Sequence, residues 1–259
     1  MVSKHHGSYS ASHFRVHKGD VVVNGEERSH TYGRIGSYIY QSVALFCAIS
    51  ELTDEYLGIT MKLPGSDLVG MDASISLSHC VARNTTDALL ICRSSSQMGE
   101  IADAIVSLAA VATHPAAIPT TLCSLHQYSL LHKIDSSWEH VLKIEHASGQ
   151  SGIAIEFPGG HVLPSGKCDD PDLSRSAIGA TQFAIAWETY TSGSQALIDA
   201  VQSFLKSYTM DNNSLINNVL TEQSQVLLEY LGVISQRAES LYYRAKHLRA
   251  RAEVQVDAV

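Results

Sequence analysis

The chain has 259 residues, of which 45% are hydrophobic and 17% are charged. A chain of this length and hydrophobicity can bury a substantial core, which excludes a fully disordered protein. The net charge is −8, with 18 Lys and Arg against 26 Asp and Glu. A general nucleic-acid-binding protein is basic, so this balance predicts no nucleic-acid partner. The five widely spaced cysteines form no CxxC pair and indicate reduced thiols in the core of a cytoplasmic protein.

The first hundred residues have the pattern of strands and turns. We predict short extended runs at 14–17 and 21–23, with Asn24-Gly25 as a turn signal typical of a hairpin. Residues 56–63 form a predicted extended segment that Pro64-Gly65 closes, and the alternation of small or apolar with polar residues predicts a half-buried strand at 73–81. The shorter, more apolar run at 87–93 is typical of a central strand. Between these two groups, residues 38–52 fit a buried helix or a strand pair and are interpreted as a helix.

The middle of the chain has helical spacing. Apolar residues three and four apart predict a helix over 96–113, which His114-Pro115 ends because a residue before proline avoids the helical region. A second helix is predicted to begin near Pro119, and the capping-box pattern from Ser136 to Glu139 predicts a third that ends at 147. Residues 148–172 are rich in Gly and Pro and are interpreted as a linker that contains a short strand at 153–157.

The last 85 or so residues are predicted to form two long helices, over 174–208 and from 214 to the C-terminus, with a turn at 210–213. The second helix would be roughly 60 Å long at 1.5 Å per residue. Its apolar residues alternate steps of four and three, which is a heptad repeat. This stripe is the predicted packing seam and consists of Leu227, Leu231, Ile234, Ala238, Leu241, Ala245, Leu248 and Ala252.

These elements predict an α+β or α/β fold, in which an N-terminal sheet with packed helices precedes a long, coiled-coil-like helical hairpin. The predicted domains are a sheet-containing domain at 1–147, the linker at 148–172 and the helical hairpin at 173–259. Because a helix of this length outreaches a domain of this size, the seam is expected to meet other helices, including those of further copies of the chain.

Enzyme motifs are incomplete. The glycine-rich run at 160–168 misses the phosphate-loop spacing by one residue and has Cys168 where the loop needs a hydroxyl. Ser151 lies in a sequence that misses the GxSxG pattern by one position. Cys123 and His126 are three residues apart, but a core thiol is the favoured interpretation of Cys123. We therefore predict that the chain is not an enzyme.

The densest acidic cluster is the candidate metal site. Asp169, Asp170 and Asp172 offer the carboxylates that Mg²⁺ prefers. The favoured alternative is a solvated linker that places negative charge at the N-terminus of the next helix. Magnesium is thus the one cofactor that the sequence suggests.

Cations are concentrated near the C-terminus. Arg237, Arg244, Lys246, Arg249 and Arg251 lie within fifteen residues, with Glu239 as the only opposing charge among them. One interpretation is a helix end that faces anionic lipid or acidic groups of a neighbouring subunit. The other, at equal odds, is a solvated face of the helix. We call the last four of these residues the basic band.

Two segments resemble the CorA-like magnesium transporters of filamentous fungi. Residues 113–125, with His114-Pro115 and Ile118-Pro119-Thr120, are similar to the segment that follows the N-terminal sheet in that family and opens a helix. Residues 231–255, in which Gln and Arg recur, resemble the family's long stalk helix. The order of a sheet, helices, a variable linker and a long terminal helix also agrees with the family.

The resemblance implies the regulatory and assembly domain of a homopentameric divalent-cation transporter, at the cytoplasmic face of a membrane. The family's pore signature is Gly-Met-Asn after the first membrane helix, whereas Gly70-Met71-Asp72 lies in a strand-and-loop region here. No run in the chain reaches the ~20 apolar residues of a bilayer span. The alternative function is a soluble coiled-coil scaffold or interaction protein that pairs through the same seam without transport.

Overall fold

The computed structural model describes residues 7–17, 20–30, 47–53, 56–63, 71, 73–80, 85–92, 95–108, 114–149, 170–211 and 218–258. Side-chain surroundings are described only where these ranges fall inside 59–206 and 222–257. The predicted fold class is confirmed as α+β with long C-terminal helices, because an antiparallel sheet comes first and the helices follow it.

Six antiparallel strands form one sheet in the order β2-β1-β6-β5-β4-β3. The strands are β1 Gly7–His17, β2 Asp20–His30, β3 Cys47–Thr53, β4 Tyr56–Lys62, β5 Ala73–Cys80 and β6 Thr85–Cys92. The predicted strands at 56–63, 73–81 and 87–93 are thereby confirmed as β4, β5 and β6. Strand β6 pairs with both β1 and β5, which agrees with its apolar sequence.

Strand β5 shows how the sequence pattern positions the core. Ala73, Ile75 and Leu77 are buried, whereas Ser76 between them is exposed. Successive side chains of a strand point to opposite faces, so the alternating sequence places Ala73, Ile75 and Leu77 on one side.

The hairpin turn predicted at Asn24-Gly25 is wrong. Asn24 and Gly25 do not form a turn, since they lie inside β2 opposite His13 and Ser12 of β1. Strands β1 and β2 pair antiparallel from His17 opposite Asp20 to Gly7 opposite His30, and this ladder, which extends to both sides of Asn24-Gly25, overrides the local turn preference.

The helix predicted over 38–52 is also wrong where the structure describes it. Cys47–Thr53 forms β3 and pairs with β4, and residues 38–46 lie outside the described residues. A short apolar run has no periodicity that separates a buried helix from a buried strand.

Four helices follow the sheet. Their bounds are α1 Ser95–Ser107, α2 Ala117–Ala147, α3 Pro171–Asp211 and α4 Asn218–Ala258. Helix α1 buries Met98, Ile101 and Ile105, as the predicted apolar face requires. Helix α2 begins just after His114, whose Nδ1 accepts a hydrogen bond from the Ala116 backbone N–H at 3.1 Å. That acceptor satisfies one of the donors left open at the start of a helix.

The predicted break within α2 at Ser136 is wrong. Leu130, Ile134, Val141 and Ile144 are all buried, at steps of four, seven and three that fit one helical face across Ser136. The buried face therefore stays in phase through the capping-box sequence, and packing outweighs the local helix-start signal.

Helices α3 and α4 agree with the two predicted C-terminal helices and differ from them only at the ends. Helix α3 continues through Gly193 to Asp211, and α4 begins at Asn218. The predicted turn falls partly on residues 212–217, which lie outside the described residues.

The chain divides into two compact units. Unit 1 comprises Met1–Ser129 and Gly193–Arg237, and unit 2 comprises Leu130–Ser192 and Ala238–Val259. Unit 1 therefore holds the sheet, α1 and one segment of each of the helices α2, α3 and α4. Unit 2 holds the other segment of these three helices. The predicted division at 148–172 follows chain order instead, and residues 150–169 of that linker lie outside the described residues.

Candidate functional site

The predicted seam on α4 is buried along its whole length. Each of its eight residues is at most 2% exposed, namely Leu227, Leu231, Ile234, Ala238, Leu241, Ala245, Leu248 and Ala252. Ser224 and Gln255 extend the same spacing at the two ends and are buried as well. The seam is therefore filled within a single chain, and no second copy is needed to cover it.

Helix α3 contributes a matching buried stripe that the sequence analysis missed. Its members also alternate steps of three and four, and they are Ala177, Ala180, Ala184, Trp187, Thr191, Ser194, Ile198, Val201 and Leu205. The spacing was readable from the sequence, but small and hydroxyl-bearing residues weaken its hydropathy signal. In unit 2, the Trp187 indole N–H donates to Ser137 Oγ of α2 at 2.8 Å.

Arg251 of the basic band is held inside unit 2. Its guanidinium donates to both carboxylate oxygens of Glu145 on α2, with Nε 2.8 Å from Oε1. The Glu145 side chain is only 5% exposed, and that of Arg251 is 26% exposed. The Arg251 guanidinium also lies 4.9 Å from the centre of the Trp138 ring, within the range of a cation–π interaction. This fork-shaped pair fixes the end of α2 against α4.

Two other cations of the basic band also have partners within unit 2. Arg244 donates to the Asp135 carboxylate of α2. Arg249 donates to Glu188 of α3 at 3.1 Å and to Glu253 of α4 at 2.8 Å. Lys246 is exposed. Three of the four band charges are thus balanced by carboxylates of the same unit, which reduces the positive charge that the band can offer to lipid.

An aromatic groove lies beside the basic band. It has a volume of about 560 Å³ and is lined by Trp138, Ser240, Tyr243, Arg244 and His247. Trp138 comes from α2 and the other four residues from α4. This groove is not readable from the sequence, because its two sides lie about a hundred residues apart.

The predicted acidic site serves a helix start. Asp170 Oδ1 accepts hydrogen bonds from the backbone N–H groups of Asp172 and Leu173 at 2.9 and 3.5 Å, so Asp170 caps α3. Asp172 forms an exposed ion pair with Arg175 at 3.2 Å. Asp169 lies outside the described residues. These contacts agree with the alternative interpretation of the cluster, and no three described His, Cys, Asp or Glu residues are grouped to hold a metal ion.

Three cysteines occupy the core, as predicted. Cys80, Cys92 and Cys123 are buried and form no disulfide. His126, the proposed neighbour of Cys123, is buried and has Nδ1 3.3 Å from Ser194 Oγ. Ser151 and the glycine-rich run at 160–168 lie outside the described residues.

Unit 1 buries two neutral histidines. His79 in β5 has Nδ1 2.9 Å from Thr86 Oγ1, and His114 has Nε2 2.9 Å from Ser224 Oγ of α4. Burial lowers the pKa of His79 to about 4. Burial, together with the neighbouring His79, lowers the pKa of His114 to about 3. Both rings are therefore uncharged at neutral pH.

Acid is expected to destabilise unit 1 through these two histidines. In the unfolded chain each ring takes up a proton near pH 6.5, whereas the folded rings resist protonation until about pH 4 and 3. Between pH 6.5 and 4 each histidine should thus lower the unfolding free energy by about 1.4 kcal/mol per pH unit. Urea unfolding of wild type and His114→Gln across this range measures the difference in slope.

The matched control is Ser240→Ala at an exposed position of α4. It changes no titratable group and should keep the wild-type slope. Equal slopes for His114→Gln and wild type would contradict the assignment of a buried neutral ring at His114.

A second polar feature of unit 1 is Gln127 on α2. Its side chain is fully buried, and neither its amide oxygen nor its amide nitrogen has a hydrogen-bond partner among the described residues. Thr120, two turns earlier on the same face, is also fully buried, and its hydroxyl has no such partner either. Burying a polar group without a partner costs free energy.

Replacing Gln127 with leucine is therefore expected to stabilise the protein by about 1–3 kcal/mol. The measurement is the urea midpoint of Gln127→Leu against wild type. Gln225→Leu, at an exposed position of α4, is the control and should change the midpoint little. A destabilised Gln127→Leu variant would show that the amide is satisfied in solution, for example by buried water.

Comparisons with known proteins assign no family. No protein-family model matches the chain, and no curated protein matches it. Among the described residues, no helix has both the length and the hydropathy that a membrane span requires.

Proposed function

We propose that this chain is the regulatory and assembly region of a divalent-cation transporter of the CorA-like type, located at the cytoplasmic face of a membrane. The observation that carries the proposal is the position of the two family-like segments. His114-Pro115 directly precedes α2, and the second segment lies within the 41-residue helix α4. These are the places that the resemblance requires, namely the start of a helix after the sheet and a long terminal helix.

The stalk role then belongs to the whole three-helix assembly of unit 2. Arg251 and Arg249 join α4 to α2 and α3, so a movement of α4 would be carried by all three helix segments. Subunit assembly, as a pentamer if the resemblance holds, would use exposed surfaces, since the seam is already filled. The exposed Lys246 is the member of the basic band best placed to meet anionic lipid.

The sequence of the transcript downstream of codon 259 tests this proposal. The transporter function predicts a reading frame that continues into two apolar spans of ~20 residues, with Gly-Met-Asn after the first. A stop codon directly after Val259 would overturn the proposal for this polypeptide.

A solution measurement provides a second test. The proposal predicts that MgCl2 shifts the melting temperature of the chain, and that NaCl at equal ionic strength does not. Identical shifts in the two salts would contradict a regulatory role for magnesium.

A soluble scaffold is the second candidate function. It is favoured by the satisfied seam, because a three-helix assembly closed within one chain can present its outer faces to partners without a membrane. The scaffold function predicts a stability that does not respond to magnesium.

A further inference from the structure

Helix α4 carries a second apolar stripe in unit 1, and this stripe is exposed among the residues that the structure describes. Val226, Tyr230 and Val233 are separated by steps of four and three, and they are 49%, 38% and 55% exposed. They therefore share one face of the helix, next to the buried seam. Single exposed apolar residues are ordinary, but a contiguous row of them indicates a contact surface.

Helix α2 extends this surface. Ser124 Oγ of α2 lies 2.8 Å from the Tyr230 hydroxyl of α4, which brings the two helices together at this point. Tyr128, one turn after Ser124 on the same side of α2, is 67% exposed. We call Tyr128, Val226, Tyr230 and Val233 the exposed face of unit 1. Tyrosine is enriched at protein interfaces, which fits a surface of this composition.

Charges of opposite sign lie at the two ends of this face. Glu222 precedes Val226 by one turn, and Arg237 follows Val233 by one turn. Both side chains are exposed, and both continue the three-and-four spacing of the stripe. Tyr230 lies at the middle of the stripe, about equally far from the two charges.

This arrangement is complementary to itself in one orientation only. If a second copy packs antiparallel about a two-fold axis at Tyr230, Glu222 of each chain meets Arg237 of the other, and Val226 meets Val233. A parallel copy would instead place Glu222 against Glu222 and Arg237 against Arg237, which is unfavourable. A two-fold contact uses the same patch on both chains, so a single self-complementary surface is sufficient.

We propose that the exposed face of unit 1 binds a second copy of this chain in antiparallel orientation. The stripe from Glu222 to Arg237 is about 24 Å long at 1.5 Å per residue. A contact of this length is smaller than a standard interface, so the dimer is weak, with a Kd on the order of 10–100 µM. This inference goes beyond the proposed function and fits its second candidate, the soluble scaffold, because antiparallel α4 helices lead the two chains in opposite directions and not into one membrane.

Charge reversal at the two ends tests the proposal in the full-length chain. Sedimentation velocity over a wide concentration range gives the Kd of wild type, Glu222→Arg, Arg237→Glu and the double variant. Each single variant should weaken the dimer about tenfold or more, because like charges then face each other at both ends. The double variant should recover the wild-type Kd, since the pairs are restored in reversed polarity.

Both charges are exposed, so their reversal should preserve the fold, and far-UV circular dichroism of each variant checks this. A wild-type chain that stays monomeric at every concentration overturns the proposal, and the exposed face would then be a contact surface for a different protein. A dimer that ignores the single reversals, or one that the double variant fails to restore, overturns the antiparallel contact. None of these outcomes bears on the downstream reading frame, so failure here is separate from failure of the proposed function.

Discussion

Arg251→Met is expected to lower the unfolding free energy by about 3–5 kcal/mol at neutral pH. The substitution keeps most of the apolar stem but leaves the Glu145 carboxylate, which is almost fully buried, without its cation. It also removes the guanidinium from the Trp138 ring. Urea unfolding followed by circular dichroism measures the loss.

Arg249→Met is the matched control for this substitution. Arg249 is a neighbouring arginine on the same helix whose side chain is 42% exposed, and its ion pairs with Glu188 and Glu253 are more open to solvent. Solvent screens exposed pairs, so this variant should lose little stability. The double variant Arg251→Met with Glu145→Leu should recover much of the loss, because no unpaired charge then remains buried. Equal small losses in both single variants would contradict the account of Arg251.

Leu241→Asp is expected to destabilise unit 2 severely. Leu241 is 2% exposed on the seam, and truncating a buried leucine alone costs about 2–5 kcal/mol. Aspartate adds the cost of a buried, unpaired carboxylate. The sum approaches the ~5–15 kcal/mol that stabilises a typical domain, so we expect a large loss of the helical signal at 222 nm.

The neighbouring Ser240 provides the control for this change. Ser240 is exposed, and Ser240→Asp introduces the same carboxylate one residue away on the solvent side of α4. This variant should retain the wild-type helical signal and urea midpoint within a small margin. If Leu241→Asp behaved like Ser240→Asp, the assignment of the seam to the buried side of α4 would be wrong.

Spacing alone was enough to predict the seam. Leucine and alanine recur along α4 at steps of three and four, and this period matches the geometry of a helix with one buried face. The same logic identified β5, where the period of two is that of a strand. These elements were predictable because neighbouring residues along the chain carry the whole signal.

The partners of the basic band were not predictable in this way. Arg251 and Glu145 are 106 residues apart in the chain, and their contact exists only because α2 and α4 lie side by side in unit 2. A cluster of cations has the same composition whether it faces lipid or carboxylates of its own chain. The uninterrupted course of α2 through Ser136 was missed for a related reason, since a local helix-start signal does not reveal the packing that overrides it.

Amide hydrogen exchange along α4 is the measurement that tests the central claim most directly, because the claim is that the chain's own helices fill the seam. The account predicts that backbone amides of residues 238–252 are strongly protected, and equally so when the protein is diluted well below the concentration at which it associates. Rapid exchange in the dilute protein, with protection that appears only as the concentration rises, would contradict the account and show that the seam is covered by other copies of the chain.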